Sequence, residues 1–180
     1  MRRRAIERLK LREGDHALDV GCGTGASFAA LRDIVGPTGR VTGVDLSDDM
    51  AAVARQRIAA HGWTNVEVVV GDATTVPLPT DVDAVLFFET HDLMRTPAAV
   101  HRAVRAARAG ARVVAFGPSL APRWAFPINA IVRSVARRYV TTLEGFDAPW
   151  SNLAAVVPDL RVHRLFLGGA YLAIGHAARE

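Results

Sequence analysis

The sequence predicts an α/β protein whose sheet is mainly parallel, with helices on both faces and an antiparallel hairpin at the C-terminal end. Short apolar runs alternate with stretches of helical periodicity along most of the 180 residues, which is typical of parallel strand–helix units. A glycine-rich turn follows the first apolar run, and Gly168-Gly169 joins the last two, as in a hairpin. This length fits one domain, residues 1–180.

The first predicted unit is a strand, a glycine loop and a helix. A short helix is expected over residues 2–11. Residues 16–20 then form a brief apolar run that ends in glycines, which is typical of a buried parallel strand. The helix after the loop ends at Gly36-Pro37, because glycine caps a helix and proline does not continue it.

The later units repeat this alternation. Ser47 is expected to cap a helix whose first turn holds Asp48 and Asp49, two carboxylates that the positive end of the helix dipole stabilises. The remaining predicted elements, in chain order, are strand 40–44, the Ser47-capped helix to about His61, strand 66–70, strand 84–88, helix 97–108, strand 111–116 and the C-terminal runs 162–167 and 171–174.

Composition narrows the class of protein. The chain is 50% hydrophobic and 22% charged, as in ordinary globular proteins, and no apolar run approaches the roughly 18–20 residues of a membrane span. Cys22 is the single cysteine, so an internal disulfide is excluded and we expect a cytoplasmic protein without a signal peptide. The net charge of +4 and the pI of about 10.2 permit attraction to nucleic acid or anionic lipid but require neither.

The glycine loop indicates a nucleotide-like ligand. Glycines between a strand and a helix let a ligand approach the backbone, and the helix N-terminus offers unpaired N–H groups. Gly21, Gly23 and Ala26 also satisfy the looser dinucleotide fingerprint. Asp45, twenty residues after Gly25, can accept hydrogen bonds from ribose hydroxyls, and enzymes that bind nicotinamide dinucleotides use the same device. These features leave the ligand open.

Asp72 separates the alternatives. It follows the third predicted strand in Val70-Gly71-Asp72-Ala73, where a carboxylate can accept a hydrogen bond from the adenine amino group. Together with Ala17 to Gly25 and Val44 to Ser47, this motif closely resembles the class I S-adenosylmethionine (SAM)-dependent methyltransferases over roughly residues 10–117. The resemblance implies their Rossmann-like, seven-stranded fold with a C-terminal antiparallel hairpin, SAM as methyl donor and S-adenosylhomocysteine as product.

Carried over by position, the resemblance implies a role for each cofactor-binding residue. Gly21 and Gly23 would line the methionine portion of SAM, and Asp19 would orient the loop or bind the methionine ammonium through water. Asp45 would hold the ribose, while Met50 would pack on adenine. The alternatives are that Asp19 and Asp72 are turn or cap residues, that Met50 belongs to the core and that Cys22 is a small filler. The complete set is Asp19, Gly21, Cys22, Gly23, Gly25, Asp45, Leu46, Met50, Gly71, Asp72, Ala73 and Phe88.

Catalytic candidates follow the fourth predicted strand, because ligands in open α/β sheets lie beyond the carboxyl ends of the strands. His91 is the general-base candidate, since its ordinary pKa is near neutrality, and Asp92 or Glu89 could orient it. Alternatively, Thr90 or Asp92 caps a helix turn and His91 lies at the surface. The six histidines show no metal-ligand spacing, so no metal is expected.

The acceptor is expected to be a small molecule. Phe88-Glu89-Thr90-His91 departs from the Asn/Asp-Pro-Pro-aromatic motif of the nucleic-acid amino methyltransferases, which disfavours nucleic acid. Residues 117–158 are a candidate insertion over the acceptor pocket. The alternative for this segment is a helix docked on the sheet with a solvated arginine face; membrane attachment through that face is a lesser expectation, and a homodimer is compatible. The acceptor-contacting candidates are Trp124, Phe126, Tyr139, Phe146 and Trp150.

Three functions therefore compete. The first is a small-molecule methyltransferase similar to the type-11 group, with an O, N or C acceptor atom. The second is a SAM-binding protein that uses the cofactor for cyclisation, structure or regulation. The third, an NAD-dependent reductase, is disfavoured because Asp72 would be unexplained and no substrate domain follows.

Overall fold

A computed structural model describes residues 1–136 and 142–178 and contains, in that part of the chain, one seven-stranded sheet. The strand order is β3-β2-β1-β4-β5-β7-β6. Only β7 among these strands runs antiparallel to its neighbours, β5 and β6, which confirms the predicted fold class. The strands are β1 His16–Val20, β2 Arg40–Asp45, β3 Val66–Val70, β4 Val82–Phe88, β5 Ala107–Pro118, β6 Arg161–Leu165 and β7 Ala170–His176.

Helices cover both faces of the sheet. One face packs against the first three helices and the other against the fourth, fifth and seventh, and each side buries its own cluster of apolar side chains. Successive side chains of β1 point to opposite faces of the sheet, so Ala17 belongs to one cluster and Leu18 to the other. The helices are α1 Arg2–Glu7, α2 Phe28–Val35, α3 Asp48–His61, α4 His91–Met94, α5 Pro97–Arg105, α6 Phe126–Ala136 and α7 Ser151–Val156.

Several boundaries differ from the sequence prediction. The helix predicted over residues 2–11 ends at Glu7, and the helix predicted over 97–108 ends at Arg105. β5 is longer than the predicted 111–116 because its backbone pairs with β4 from Ala107 and with β7 as far as Pro118. Backbone pairing extends past the apolar run, and hydrophobic pattern alone does not mark that extension.

The strand order creates the crevice that positions the site. The chain passes from β1 through β2 to β3 on one side and then crosses to β4 and β5 on the other. Loops that leave the carboxyl ends of β1 and β4 therefore diverge, and a crevice opens at this switch point. All predicted cofactor-binding and catalytic residues lie on or after the ends of these first four strands.

The C-terminal hairpin confirms the reading of Gly168-Gly169. β6 and β7 are joined by a 3-10 turn, Phe166–Gly168, so that the turn lies at the same sheet edge as the end of β5. Phe166 and Leu167 have φ angles of 51° and 56°, a left-handed conformation that strains bulky side chains. Both side chains are nevertheless exposed.

Candidate functional site

The glycine loop is tied to the neighbouring strand and open towards the crevice. The backbone N–H groups of Gly21 and Cys22 both donate to the carbonyl of Val44, at 2.7 and 3.0 Å. Gly21 has φ +74°, and a Cβ there would lie 2.4 Å from Cγ2 of Thr90, so no side chain fits. At Gly23, with φ +55°, a Cβ would meet no atom within 4 Å among the described residues. A ligand can therefore approach the backbone there.

Two other residues of this loop, Cys22 and Gly25, pack closely against the protein interior. A Cβ at Gly25 would lie 2.6 Å from the ring of Phe28, so this glycine permits the first turn of α2 to pack closely. Cys22 is 5% exposed, and burial raises the pKa of its thiol far above the ordinary value. A thiol that stays protonated is a small filler and a poor nucleophile.

Asp45 at the end of β2 organises the loop as well as facing the crevice. Its Oδ2 accepts a hydrogen bond from the N–H of Gly23 at 2.7 Å, and its Oδ1 accepts one from the N–H of Ser47 at 3.0 Å. Each carboxylate oxygen keeps a second lone pair for a ligand hydroxyl. Leu46 and Met50 beside it are 72% and 47% exposed, which provides apolar surface next to the acidic group.

Asp72 lies at the neighbouring strand end. The N–H of Gly71 donates to the carbonyl of Asp45 at 2.9 Å, so the loops after β2 and β3 are held together. Asp72 is exposed, and its Oδ1 accepts a hydrogen bond from the N–H of Thr74 at 2.8 Å. That bond lowers the pKa of the carboxyl, which keeps it ionised. Ala73, just after it, is buried.

Asp19 is the buried acidic residue of the candidate site. It is 1% exposed on β1, and burial raises the pKa of its carboxyl to about 7, although Arg2 and a hydrogen bond from Ser27 oppose that rise. Within residues 1–136 and 142–178, its Oδ2 has no hydrogen-bond partner. A buried carboxylate oxygen without a partner is unfavourable in the free protein and suits a cationic ligand group.

Arg2 is a site residue that the sequence analysis missed. Its guanidinium donates to Oγ of Ser27 at 3.0 Å, lies 3.6 Å from Oε2 of Glu89 and stands 3.9 Å from the ring centroid of Phe88. α1 thus brings a cation to the crevice between the glycine loop and the end of β4. The only sequence signal was the run Arg2-Arg3-Arg4, which does not reveal which arginine turns inward.

The residues after β4 adopt a strained backbone at the crevice. Glu89 has φ +60°, a conformation that costs a non-glycine residue about 1–3 kcal/mol and tends to persist at functional sites. Its N–H donates to the carbonyl of Phe116 at 2.7 Å, which fixes the turn. Oγ1 of Thr90 is buried and, in the part of the chain that the structure describes, has no hydrogen-bond partner. Asp92 is exposed in the first turn of α4.

His91 is buried instead of lying open to the crevice. It is 5% exposed, its ring packs 4.0 Å from that of Phe146, and its Nε2 lies 3.1 Å from the carbonyl of Glu144. Because a carbonyl only accepts, Nε2 carries the proton and Nδ1 is the free acceptor. Nδ1 is buried and finds no partner among the described residues. His91 therefore holds segment 142–150 in place, and a role as general base stays a prediction that requires this segment to move.

We expect His91→Gln to remove an acid-sensitive step from the stability profile. Burial lowers the pKa of His91, so between that value and 6.5 the unfolded chain binds more protons than the folded protein, and wild-type stability falls as pH falls. Between pH 7.5 and 5 the wild type should therefore lose stability relative to His91→Gln. Urea unfolding across this range measures it, with the exposed His163→Gln as control. Parallel stability profiles for the wild type and His91→Gln would contradict a lowered pKa for His91.

The predicted acceptor-contacting residues do not form one exposed surface among the residues that the structure describes. Trp124 is 70% exposed, whereas Phe146 is fully buried, with its ring against that of His91. The ring of Trp150 packs 5.1 Å from that of Tyr171 against the core. Phe126 begins α6, and Tyr139 lies outside the described residues. Trp124 alone of the described side chains in this set stands free at the surface, and acceptor contact by any of the five stays a prediction.

The arrangement fits an adenosine-containing cationic ligand. Asp19 provides an unpartnered carboxylate oxygen, Gly23 an open backbone, Asp45 an acceptor for hydroxyls, and Asp72 an exposed acceptor beside the apolar surface of Met50. These groups lie at or just after the carboxyl ends of three adjacent strands, β1, β2 and β3. These are the kinds of group that the predicted ammonium, ribose and adenine contacts require, and binding of the cofactor by them stays a prediction.

A family profile described as a methyltransferase domain matches residues 17–110. A demethylmenaquinone methyltransferase of Geobacillus stearothermophilus is 40% identical over 78 residues, which are 43% of this chain and 33% of that protein. One from Staphylococcus aureus (strain JH9) is 45% identical over 76 residues, 42% of this chain and 31% of the relative. These matches span about a third of the relatives' own length.

The fold itself has close structural counterparts. The crystal structure of a SAM-dependent methyltransferase from Aquifex aeolicus superposes with a TM-score of 0.72, covering 98% of this chain and 89% of that one at 21% identity. At such low identity the likeness concerns the fold alone. In the described part of this chain, no helix is long and apolar enough to cross a membrane.

Proposed function

This chain belongs to the class I SAM-dependent methyltransferases, and on that basis we propose that it transfers the methyl group of SAM to a small-molecule acceptor. The observation that carries the proposal is Asp19, a buried carboxylate whose Oδ2 has no partner in residues 1–136 and 142–178, next to an open glycine loop. The single, buried cysteine suits a reducing compartment, so we set the reaction in the cytoplasm.

Five residues would hold the cofactor. Asp19 would bind the methionine ammonium, because burial without a partner makes this carboxylate seek a cation. Arg2, which now faces Glu89, would attract the methionine carboxylate. Asp45 would accept hydrogen bonds from the ribose hydroxyls, Met50 would pack on adenine, and Asp72 would accept a hydrogen bond from its amino group.

The protein's main contribution would be alignment. When bound, SAM supplies an electrophilic methyl group attached to a sulfonium. Positioning of an acceptor beside it can lower the barrier by roughly 7–11 kcal/mol without a covalent step on the protein. Glu89, Thr90 and His91 follow β4 at the edge of the crevice and would position the acceptor. Nδ1 of His91 is the acceptor nitrogen, and a movement of segment 142–150 that exposes it would let it take a proton when the nucleophile must lose one.

A ring-bearing molecule such as a demethylated quinone is the first acceptor to test. The support is the name of the curated relatives, demethylmenaquinone methyltransferases, which match 42–43% of this chain.

Calorimetry on the purified protein tests the proposal directly. We expect SAM and S-adenosylhomocysteine to bind and NAD not to bind. Asp72→Asn keeps an oxygen for the N–H of Thr74 but replaces the second acceptor by a donor. It should therefore weaken SAM binding about tenfold through the lost adenine contact, with little change in stability because Asp72 is exposed. Asp33→Asn, an exposed carboxylate on α2, is the matched control.

Turnover is measured as S-adenosylhomocysteine formed with demethylated quinones and a panel of phenols, amines and carboxylates. Preferential binding of NAD would contradict the proposal. Tight SAM binding without turnover on any acceptor would favour the alternative in which the cofactor serves cyclisation, structure or regulation.

A further inference from the structure

Four large apolar side chains stand exposed near one edge of the sheet. Trp124, Ile131, Phe166 and Leu167 are 70%, 65%, 63% and 64% exposed, and we call this set the rim patch. Isolated exposed apolar residues are common, but groups of them mark interaction surfaces. The other exposed large hydrophobics of the described chain include Leu46 and Met50, which belong to the proposed cofactor site.

The rim patch comes from two segments that pack on each other. A Cβ at Gly169 would lie 2.8 Å from Cγ2 of Ile128 on α6, and one at Gly168 would lie 3.0 Å from Cδ of Pro122. Oγ of Ser119 also donates to the carbonyl of Gly168 at 2.8 Å. The turn that carries Phe166 and Leu167 therefore supports the start of α6 and the residues before it.

The rim patch lies at the carboxyl edge of the sheet, on the same side as the candidate active site. Pro118, the last residue of β5, pairs with Ala170, and Leu165, the last residue of β6, pairs with the same residue. The turn between β6 and β7 and the segment after β5 therefore both project from this edge. Phe166 and Leu167 keep their strained left-handed backbone there with their side chains in solvent.

The segment that carries Trp124 and Ile131 is basic in sequence. Residues 118–143 contain four arginines and no aspartate or glutamate, whereas the whole chain has 22 basic and 18 acidic residues. This one segment thus accounts for the entire formal net charge of +4. Arg133, two residues after Ile131, is exposed. A helix with exposed apolar and arginine side chains is typical of segments that lie at the surface of an anionic bilayer.

We propose that the rim patch docks this protein on an anionic lipid bilayer, with Trp124, Ile131, Phe166 and Leu167 entering the interface and Arg133 facing the lipid headgroups. Tryptophan suits this depth, because its ring is apolar and its N–H can still reach water or headgroups. The carboxyl edge of the sheet then faces the bilayer. Under the proposed function, an apolar acceptor dissolved in the membrane would have a direct path to the site.

Vesicle flotation tests the docking without SAM or acceptor, so its outcome is independent of the methyl-transfer assay. The chain of residues 1–180 is mixed with vesicles of phosphatidylcholine, with or without phosphatidylglycerol. We expect binding to the vesicles that contain phosphatidylglycerol, weakened by salt. Trp124→Ser/Ile131→Ser should lower the partition coefficient roughly tenfold or more, and Arg133→Ser should lower it only for the anionic vesicles.

Phe166→Asn/Leu167→Gly separates docking from folding. Asparagine and glycine tolerate the left-handed backbone, so this variant should keep or raise the urea midpoint while it loses vesicle binding. The matched controls are Val53→Ser and Arg55→Ser. Both positions are exposed on α3, which packs on β3, the outer strand farthest from β6. Equal flotation of the wild type and both rim-patch variants would overturn the proposal. Patch-dependent dimers in sedimentation, without vesicle binding, would overturn it in favour of a second copy of this chain.

Discussion

Asp19→Asn is expected to stabilise the free protein while it weakens SAM binding. The carboxyl of Asp19 is almost fully buried, and its pKa is raised to about 7, so ionisation near neutral pH opposes folding. Asparagine keeps an oxygen for the hydrogen bond from Ser27 and removes the buried charge, although its amide N–H₂ remains buried. We expect a net gain of roughly 1–3 kcal/mol in the free energy of unfolding at pH 8.

The raised pKa of Asp19 determines how the stability difference between the two proteins changes with pH. The folded protein holds a proton on Asp19 up to about pH 7, whereas the unfolded chain releases it near pH 4. Wild-type stability therefore falls as pH rises from about 4 to 7, relative to Asp19→Asn, and the difference is constant above that window. Urea unfolding of both proteins at several pH values measures it. If the stability difference between the two proteins does not grow from about pH 4 to 7, the raised pKa of Asp19 is contradicted.

The same substitution should weaken SAM binding by about 10- to 100-fold, because a hydrogen bond to a charged group contributes roughly 1.5–3 kcal/mol. Calorimetry at pH 8 measures this loss. Asp33→Asn, an exposed change on α2, should alter neither property. A variant that becomes more stable and binds SAM less well is the expected signature of a residue whose strain serves a ligand. Unchanged SAM affinity would show that Asp19 is only a structural residue.

Asp45→Ala is expected to have the largest effect on cofactor affinity. Its carboxylate accepts hydrogen bonds from the N–H groups of Gly23 and Ser47, so alanine removes the ribose contact and loosens the glycine loop together. We expect SAM affinity to fall on the order of 100-fold or more, and the free energy of unfolding to fall by about 1–2 kcal/mol.

Asp45→Asn divides these two effects. Asparagine can still accept from one backbone N–H but not from both, so its stability and SAM affinity should lie between those of the wild type and Asp45→Ala. Asp48→Ala, an exposed carboxylate in the first turn of α3, controls for charge near the site. The prediction fails if Asp45→Ala binds SAM within threefold, or about 0.7 kcal/mol, of the wild type.

Arg2 illustrates what a local pattern cannot reveal. It is 17 residues from Asp19 in the sequence, and its place beside Ser27, Phe88 and Glu89 depends on how α1 packs against the sheet. His91 is a second case. The residue order after the fourth strand marked it as the candidate base, but the ring lies against Phe146 from a segment more than fifty residues away. Side-chain burial of this kind arises from long-range contacts.

The sequence by itself determined the α/β class, the nearly parallel sheet, the C-terminal hairpin and the family, because hydrophobic period, glycine turns and motif spacing are local properties of the chain. The tertiary structure alone decided which strand ends adjoin, that Asp19 is a buried carboxylate beside the glycine loop, that Arg2 lies between Ser27, Phe88 and Glu89, and that the exposed apolar residues after β5 and β6 share one edge. Burial and electrostatic environment depend on elements far apart in sequence, so they exist only once the sheet has assembled.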